Sequence, residues 1–295
     1  MTTSTLANSL SELPEYRQVL ANLIARDLKV KYQSKSLGFA WSLIAPAVMM
    51  SILYVIFSRV FTIPDFWAFL IAGILPFQFF QESIVAGAAA IRGSAGLIRK
   101  IYVPMEILVI AAVTVRAIEF VLQMLLAVVL LTALHRGGDT PLHVPPGGHV
   151  PPGAVHEAPR IDAFKTAVVL PGAIVLTYMF VLGVAMPLAA WSVIYRDIDH
   201  VITITMRVLF YATPVFWPLF VRGGEWWARW MALNPATDLI ALYRGPMYFG
   251  TWPFNEATGG GPMIAWGLAM LFSFGALLGG YALFNRSKRI LAEVV

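Results

Sequence analysis

The sequence predicts an all-α integral membrane protein with six transmembrane helices and both termini in the cytoplasm. Three observations predict it. The 295 residues are 59% apolar and only 13% charged, where soluble domains run at about 45–50% and about 25%. The chain divides into runs of roughly 20 or more apolar residues, the length that crosses a bilayer. Its cations collect on alternate connections. A net charge of +5 then reads as membrane orientation rather than nucleic-acid binding. Without cysteine, disulfides, thiolate metal sites and cysteine nucleophiles are excluded. The opening MTTSTLANSL has no basic stretch followed by an apolar run, so a cleaved signal peptide is not expected.

Three regions follow: 1–36, a cytoplasmic N-terminus; 37–285, the transmembrane domain; and 286–295, a cytoplasmic tail. In the first, Tyr16, Val19, Leu20, Leu23 and Ile24 recur at helical spacing within Pro14–Tyr32. Arg17, Arg26, Lys29 and Lys31 fall largely on other faces, the pattern of an amphipathic helix lying in the membrane interface. Leu37–Ser58 is the first expected span, with a kink at Pro46. Phe66–Ile91 is the second and carries one charge, Glu82. Met105–Leu134 is the third, with Arg116 and Glu119 three residues apart inside it. Thr166–Tyr195, Val201–Val221 and Met263–Asn285 complete the set.

With both ends inside, Arg17, Arg26, Lys29, Lys31, Lys35, Arg92, Arg99, Lys100, Arg196, Arg286, Lys288 and Arg289 are cytoplasmic. Arg59, Arg136, Arg160, Lys165, Arg222, Arg229 and Arg244 are external, and the excess inside sets the orientation.

Two long connections remain. His135–Ala163 is rich in proline and glycine and reads as an irregular external loop. His135, His143, His149 and His156 lie in it, but their spacing matches no rigid metal motif. Arg222–Gly261 is too polar to span yet full of Trp and Tyr. It is either an aromatic belt at the outer interface or a pair of short re-entrant helices broken at Asn234-Pro235 and Gly245-Pro246.

No catalytic constellation stands out. GxSxG and HExxH are missing, and Gly-Lys never occurs, so no Walker A loop binds nucleotide here. Charges inside spans are the functional suspects. Glu82 is a channel-lining carboxylate or a buried hydrogen-bonded acid, while Arg116 and Glu119 neutralise one another as helical neighbours. Asp197 and Asp199 read as surface ion-pair partners. The connection IRGSAGLIRKIYVPMEIL is either an ordinary basic loop or a short amphipathic helix for a cytoplasmic partner, interleaving Leu97, Ile98, Ile101 and Tyr102 with Arg99 and Lys100.

The stretch RDLKVKYQSKSLGFAWSLIAPAV, residues 26–48, resembles the entry of the type-2 ABC permeases that export polysaccharides, the O-antigen and teichoic-acid exporters. These show R-D-x-K/R-x-R/K-Y, then L-G-x-x-W and a proline. LIRKIYVPMEIL, YRDIDHVITITMRVLFYATPVFWPL and LNPATDLIALYRGPMYFG agree in the same order. The resemblance covers about residues 16 to 285; the loop at His135–Arg160 is longer than the family's pattern.

That resemblance implies a homodimer with two copies of a separate ATPase beneath it, which would bind ATP and Mg. This chain itself would hold no cofactor or metal, would not be an enzyme, and would bind no nucleic acid. It implies that Gly96, Leu97, Ile98, Arg99, Lys100, Ile101 and Tyr102 form the helix coupling the permease to the ATPase, with Pro14–Lys31 alongside. Arg196, Asp197 and Asp199 would add a secondary contact. The implied substrate is a glycan on polyprenyl diphosphate, leaving the bacterial cytoplasmic membrane. Arg26, Lys29, Lys31 and Lys35 are then head-group candidates, beside plain anchoring to anionic membrane lipid. Phe77, Phe80, Glu82, Tyr211, Phe216 and Trp217 are channel candidates, as is Phe79, although lipid-facing packing also suits the aromatics. A drug or simple-lipid exporter, a secondary transporter and a membrane enzyme are the rival readings.

Overall fold

The computed structural model describes residues 16–33, 38–61, 63–94, 96, 103–134, 161–195, 197–219 and 226–294. They form α1 (Arg17–Gln33), α2 (Ala40–Phe57), α3 (Phe66–Gly93), α4 (Met105–Leu134), α5 (Ala163–Ile194), α6 (Ile198–Ala212), α7 (Pro235–Arg244) and α8 (Pro262–Val294). The histidine-bearing loop 135–160, Leu97–Tyr102, Lys35 and Arg196 lie outside the described residues.

Five helices, α2, α3, α4, α5 and α8, are long and apolar enough to cross a membrane. The sequence expects a further span at Val201–Val221, and here the structure differs. The helix is 15 residues long, about 22 Å at ~1.5 Å per residue, and stops at Ala212. Thr213 is extended, with φ −99° and ψ 141°, because the Pro214 ring disfavours helical backbone in the residue before it. The chain then turns through 213–218.

The core is built around α3, whose Phe69, Leu70, Ile74, Phe77 and Ile84 are buried. α2 lies on its flank and buries only Pro46 and Leu53; the helix continues through Pro46. α5 and α8 cross so closely that two glycines are obligatory. A Cβ on Gly280 would lie 1.7 Å from the Gly183 carbonyl oxygen, and one on Gly183 would lie 2.3 Å from the Ala276 carbonyl carbon. Such approaches are how helices associate in lipid, where no hydrophobic effect drives them together.

α1 meets one expectation and departs from another. Tyr16, Val19, Leu20, Leu23 and Ile24 do form one apolar face. That face packs on Val103, Ile107, Leu108 and Ala111 at the start of α4, so protein covers it rather than acyl chains.

Segment 226–261 is ordered by caps. A 3-10 turn, Ala228–Leu233, ends at Asn234, whose side chain accepts the Ala236 amide at 3.1 Å and opens α7. At Gly245-Pro246 the chain continues as a π turn, Gly245–Phe249, and Gly250 at φ 64° ends it. All but the first residue of α7 is buried. The same segment is tied to α5. The Asp162 amide donates to the Pro246 carbonyl at 3.0 Å, and Lys165 Nζ donates to the Gly250 carbonyl at 2.7 Å. Asp162 caps α5 by accepting the Lys165 amide at 2.9 Å; that bond, more than any other cause, holds its carboxyl below the usual range.

Candidate functional site

At the α1 end of the bundle, charged residues from three helices meet. Glu119 of α4 is buried and accepts Lys31 Nζ at 2.7 Å and Arg116 Nη1 at 3.1 Å. Tyr32 also donates its hydroxyl to Glu119. Burial and then that carboxylate push the Tyr32 phenol above its ordinary range, so it stays a donor. The same Arg116 Nη1 reaches Glu82 of α3 at 3.3 Å. Glu82 is thus neither unpaired nor buried: its side chain is 54% exposed. Arg116 and Glu119 are paired as the sequence expects, but within a four-charge chain rather than alone.

Two further ion pairs flank the connection between α3 and α4. Arg92, in the last turn of α3, pairs with Asp199 at the start of α6 and donates to the Ser192 carbonyl at 3.5 Å. Glu106, in the first turn of α4, pairs with Lys288 of α8. Asp199 does make the surface ion pair expected of it. The Lys288–Glu106 contact, between residues 182 apart, has no local signal in the sequence. Reversing Glu106→Lys alone should destabilise the protein by about 1–2 kcal/mol, since the pair is half-buried. The double variant Glu106→Lys/Lys288→Glu should recover most of it. Thermal unfolding in detergent measures both; equal melting of single and double variants would sink the pairing.

The other sequence-selected residues divide. Gly96 is exposed. Arg26 pairs with Asp27 at 2.8 Å in solvent, and Lys29 is exposed. Phe77, Phe79, Phe80 and Phe216 are buried within the single chain. Phe77 packs on Phe210 with centroids 5.4 Å apart, Phe80 on Phe180 at 5.6 Å, and Phe216 on Phe57 at 5.1 Å. Tyr211 is 67% exposed beside them. Trp217 is half-buried, lies tilted against Trp227 with centroids 5.9 Å apart and donates to the Tyr211 carbonyl at 3.3 Å. Among the described residues no three His, Asp or Glu side chains gather as a metal site.

At the far end lies a buried polar knot that sequence reasoning missed. Arg244 of α7 is 1% exposed and pairs at 3.4 Å with Glu256, which is 2% exposed. It donates through Nη2 to the Val215 carbonyl at 2.6 Å and lies 3.9 Å from the Phe69 ring centroid. Gly73 makes room: a Cβ there would lie 2.3 Å from the Val215 oxygen and 2.7 Å from Arg244 Nη2. Asn255 donates to Asp238 at 2.5 Å, and Asn234 donates to Thr213 Oγ1 at 2.9 Å. These bonds join α7, the segment after α6, and residues 255–256.

Among the described residues charge is therefore gathered at the two ends, with apolar and aromatic packing between them and no nucleophile–base pair. The O-antigen export system permease protein RfbA of Myxococcus xanthus is 30% identical over 248 residues, 83% of this chain and 86% of that protein. A protein of the same name from Klebsiella pneumoniae is 23% identical over 282 residues, 94% of this chain and 95% of its own length. Residues 18–248 match the ABC-2 type transporter family, and this multi-pass membrane protein belongs to that family.

Proposed function

We propose that this chain is the membrane-spanning permease of an ATP-driven exporter that moves a lipid-linked polysaccharide outward across the bacterial inner membrane. One observation carries the reading: the likeness to O-antigen export permeases runs over 83% to 94% of the chain. ATP hydrolysis belongs to a separate subunit. Two copies of this chain form the path, with two ATPases beneath them. Both termini are cytoplasmic, α6 serves as a sixth crossing completed by the turn after it, and segment 226–249 re-enters from the outer face. The burial of α7 on nearly every side supports that placement, since irregular backbone at membrane depth needs protein around it.

In this reading residues 96–102 are the coupling element. Arg92–Asp199 and Glu106–Lys288 hold its two ends, so a push from the ATPase reaches α3, α4, α6 and α8 together. Tyr211, Trp217 and Glu82 face the glycan path, with Phe77, Phe80 and Phe216 backing it. Arg26, Lys29 and Lys35 meet lipid head groups.

The test is purification of the tagged chain from its native membrane, with mass spectrometry of what stays bound. A stoichiometric P-loop ATPase is expected, reduced at least about tenfold by Leu97→Asp/Ile98→Asp, because a charge placed in an apolar docking face is strongly disfavoured. A homogeneous preparation with no ATPase would overturn the exporter and return a secondary transporter to favour.

A further inference from the structure

The depth of the four-charge chain follows from helix lengths. α2 has 18 residues, about 27 Å at ~1.5 Å per residue, close to the ~30 Å hydrocarbon thickness. Its far end is level with the start of α3, where Tyr54 stacks on Phe66 with centroids 6.3 Å apart. Its near end is level with Gln123, which donates to the Ser42 carbonyl at 2.8 Å. Glu119 is one turn beyond Gln123. Glu82 lies sixteen residues from Phe66, about 24 Å along α3. Arg116, Glu119 and Glu82 therefore sit at the edge of the hydrocarbon, in the head-group layer at the α1 end. Trp41, half-exposed at the same level, suits that plane.

Within the chain of charges the two carboxylates are held unequally. Glu119, with a side chain only 5% exposed, takes Lys31, Tyr32 and Arg116. Among the described residues Glu82 takes Arg116 alone, at 3.3 Å and in solvent. Both acids are served by the single nitrogen Nη1. Among the described residues, the Nη2 and Nε edge of Arg116 has no partner. That edge is the planar fork that binds phosphate oxygens bidentately. With Glu82 swung away, Lys31 and Arg116 outweigh Glu119 by one positive charge, which suits an anion.

We propose that Arg116 is a phosphate-binding residue for a lipid head group at the inner membrane surface, and that Glu82 is an exchangeable carboxylate that neutralises its charge when no phosphate is bound. Glu119 is the fixed anchor that holds Arg116 and Lys31 in place. The ligand chemistry is a phosphate ester carried by a lipid, either the diphosphate of an exported polyprenyl-linked substrate or the phosphodiester of a membrane phospholipid. The first source rests on the exporter reading; the second does not.

The experiment titrates the detergent-purified protein, with whatever subunits co-isolate, using farnesyl diphosphate and separately phosphatidylglycerol, and counts bound lipid by native mass spectrometry. Arg116→Gln should weaken phosphate binding roughly tenfold, as loss of a charge-assisted bidentate contact does. Arg116→Lys, which keeps charge but not the fork, should fall between. Glu82→Gln should bind several-fold tighter, because the competing carboxylate is gone. Its side chain is exposed, so the variant should fold, and its gain has the opposite sign to any structural damage. A gain confined to the diphosphate assigns the site to the exported lipid, and an equal gain with phosphatidylglycerol assigns it to membrane lipid. Unchanged or weaker binding of both probes by Glu82→Gln overturns the site. A missing ATPase subunit would count against the exporter alone, since the lipid titration still reads out.

Discussion

Replacing Gly280 by alanine should lower the yield of folded protein far more than the same change at Gly279, its immediate neighbour. A Cβ at Gly280 would meet the Gly183 oxygen at 1.7 Å and its carbonyl carbon at 2.6 Å, whereas at Gly279 nothing lies within 4 Å. The obstructing atoms are backbone, so no side chain can rotate aside, and α5 and α8 must separate. Overpacking of this kind costs about 3 kcal/mol or more, which is roughly 6–12 °C in Tm at about 2–4 °C per kcal/mol for a domain of this size. Gly183→Ala should behave like Gly280→Ala, because its Cβ would meet Ala276 and Leu277 backbone at 2.3–2.4 Å. Gly279→Ala should be neutral or slightly stabilising through helix propensity, within about 1 kcal/mol. The monodisperse fraction after detergent extraction, with thermal unfolding of that fraction, measures all three. A Gly280→Ala protein melting with the wild type would mean that the helices are not this close.

The apolar runs made most of the bundle legible in the sequence: α4 begins and ends where the pattern of residues puts it, at Met105 and Leu134. The fifth span is legible only in part: its apolar residues continue past Pro214, while backbone geometry stops the helix at Ala212. Composition cannot register that stop, although a proline after Thr213 is its local sign. The α1 face was legible from its spacing, but spacing does not say whether lipid or protein covers it. The charged contacts were least legible. Lys31 reads as a free surface cation, yet Glu119, 88 residues away, holds it. Arg244 reads as an external cation, yet Glu256, 12 residues on, meets it in the interior. Pairings of this kind depend on how helices stack, and no local period encodes them.

The Arg244–Glu256 pair should respond to substitution in a way that separates a structural knot from surplus charge. Both side chains are almost fully buried, so Glu256→Gln leaves a guanidinium without its counter-charge, met by the Val215 carbonyl, the Phe69 face and at best a neutral amide oxygen. Arg244→Met leaves a carboxylate with no cation. Removing one partner of a buried pair costs about 3–5 kcal/mol, whereas removing both for apolar groups of similar volume is often close to neutral. Arg244→Met/Glu256→Leu should therefore melt well above either single variant. Recovered stability would not restore function if the knot positions the segment after α6, because the double variant still lacks the donor to Val215. The expected pattern is stability rescued and glycan export in cells still lost. If the double variant loses the sum of the two single losses, the pair is not coupled. If it regains both stability and export, the charges merely fill space, and the chain after Pro214 is held by Asn234 and Thr213 instead.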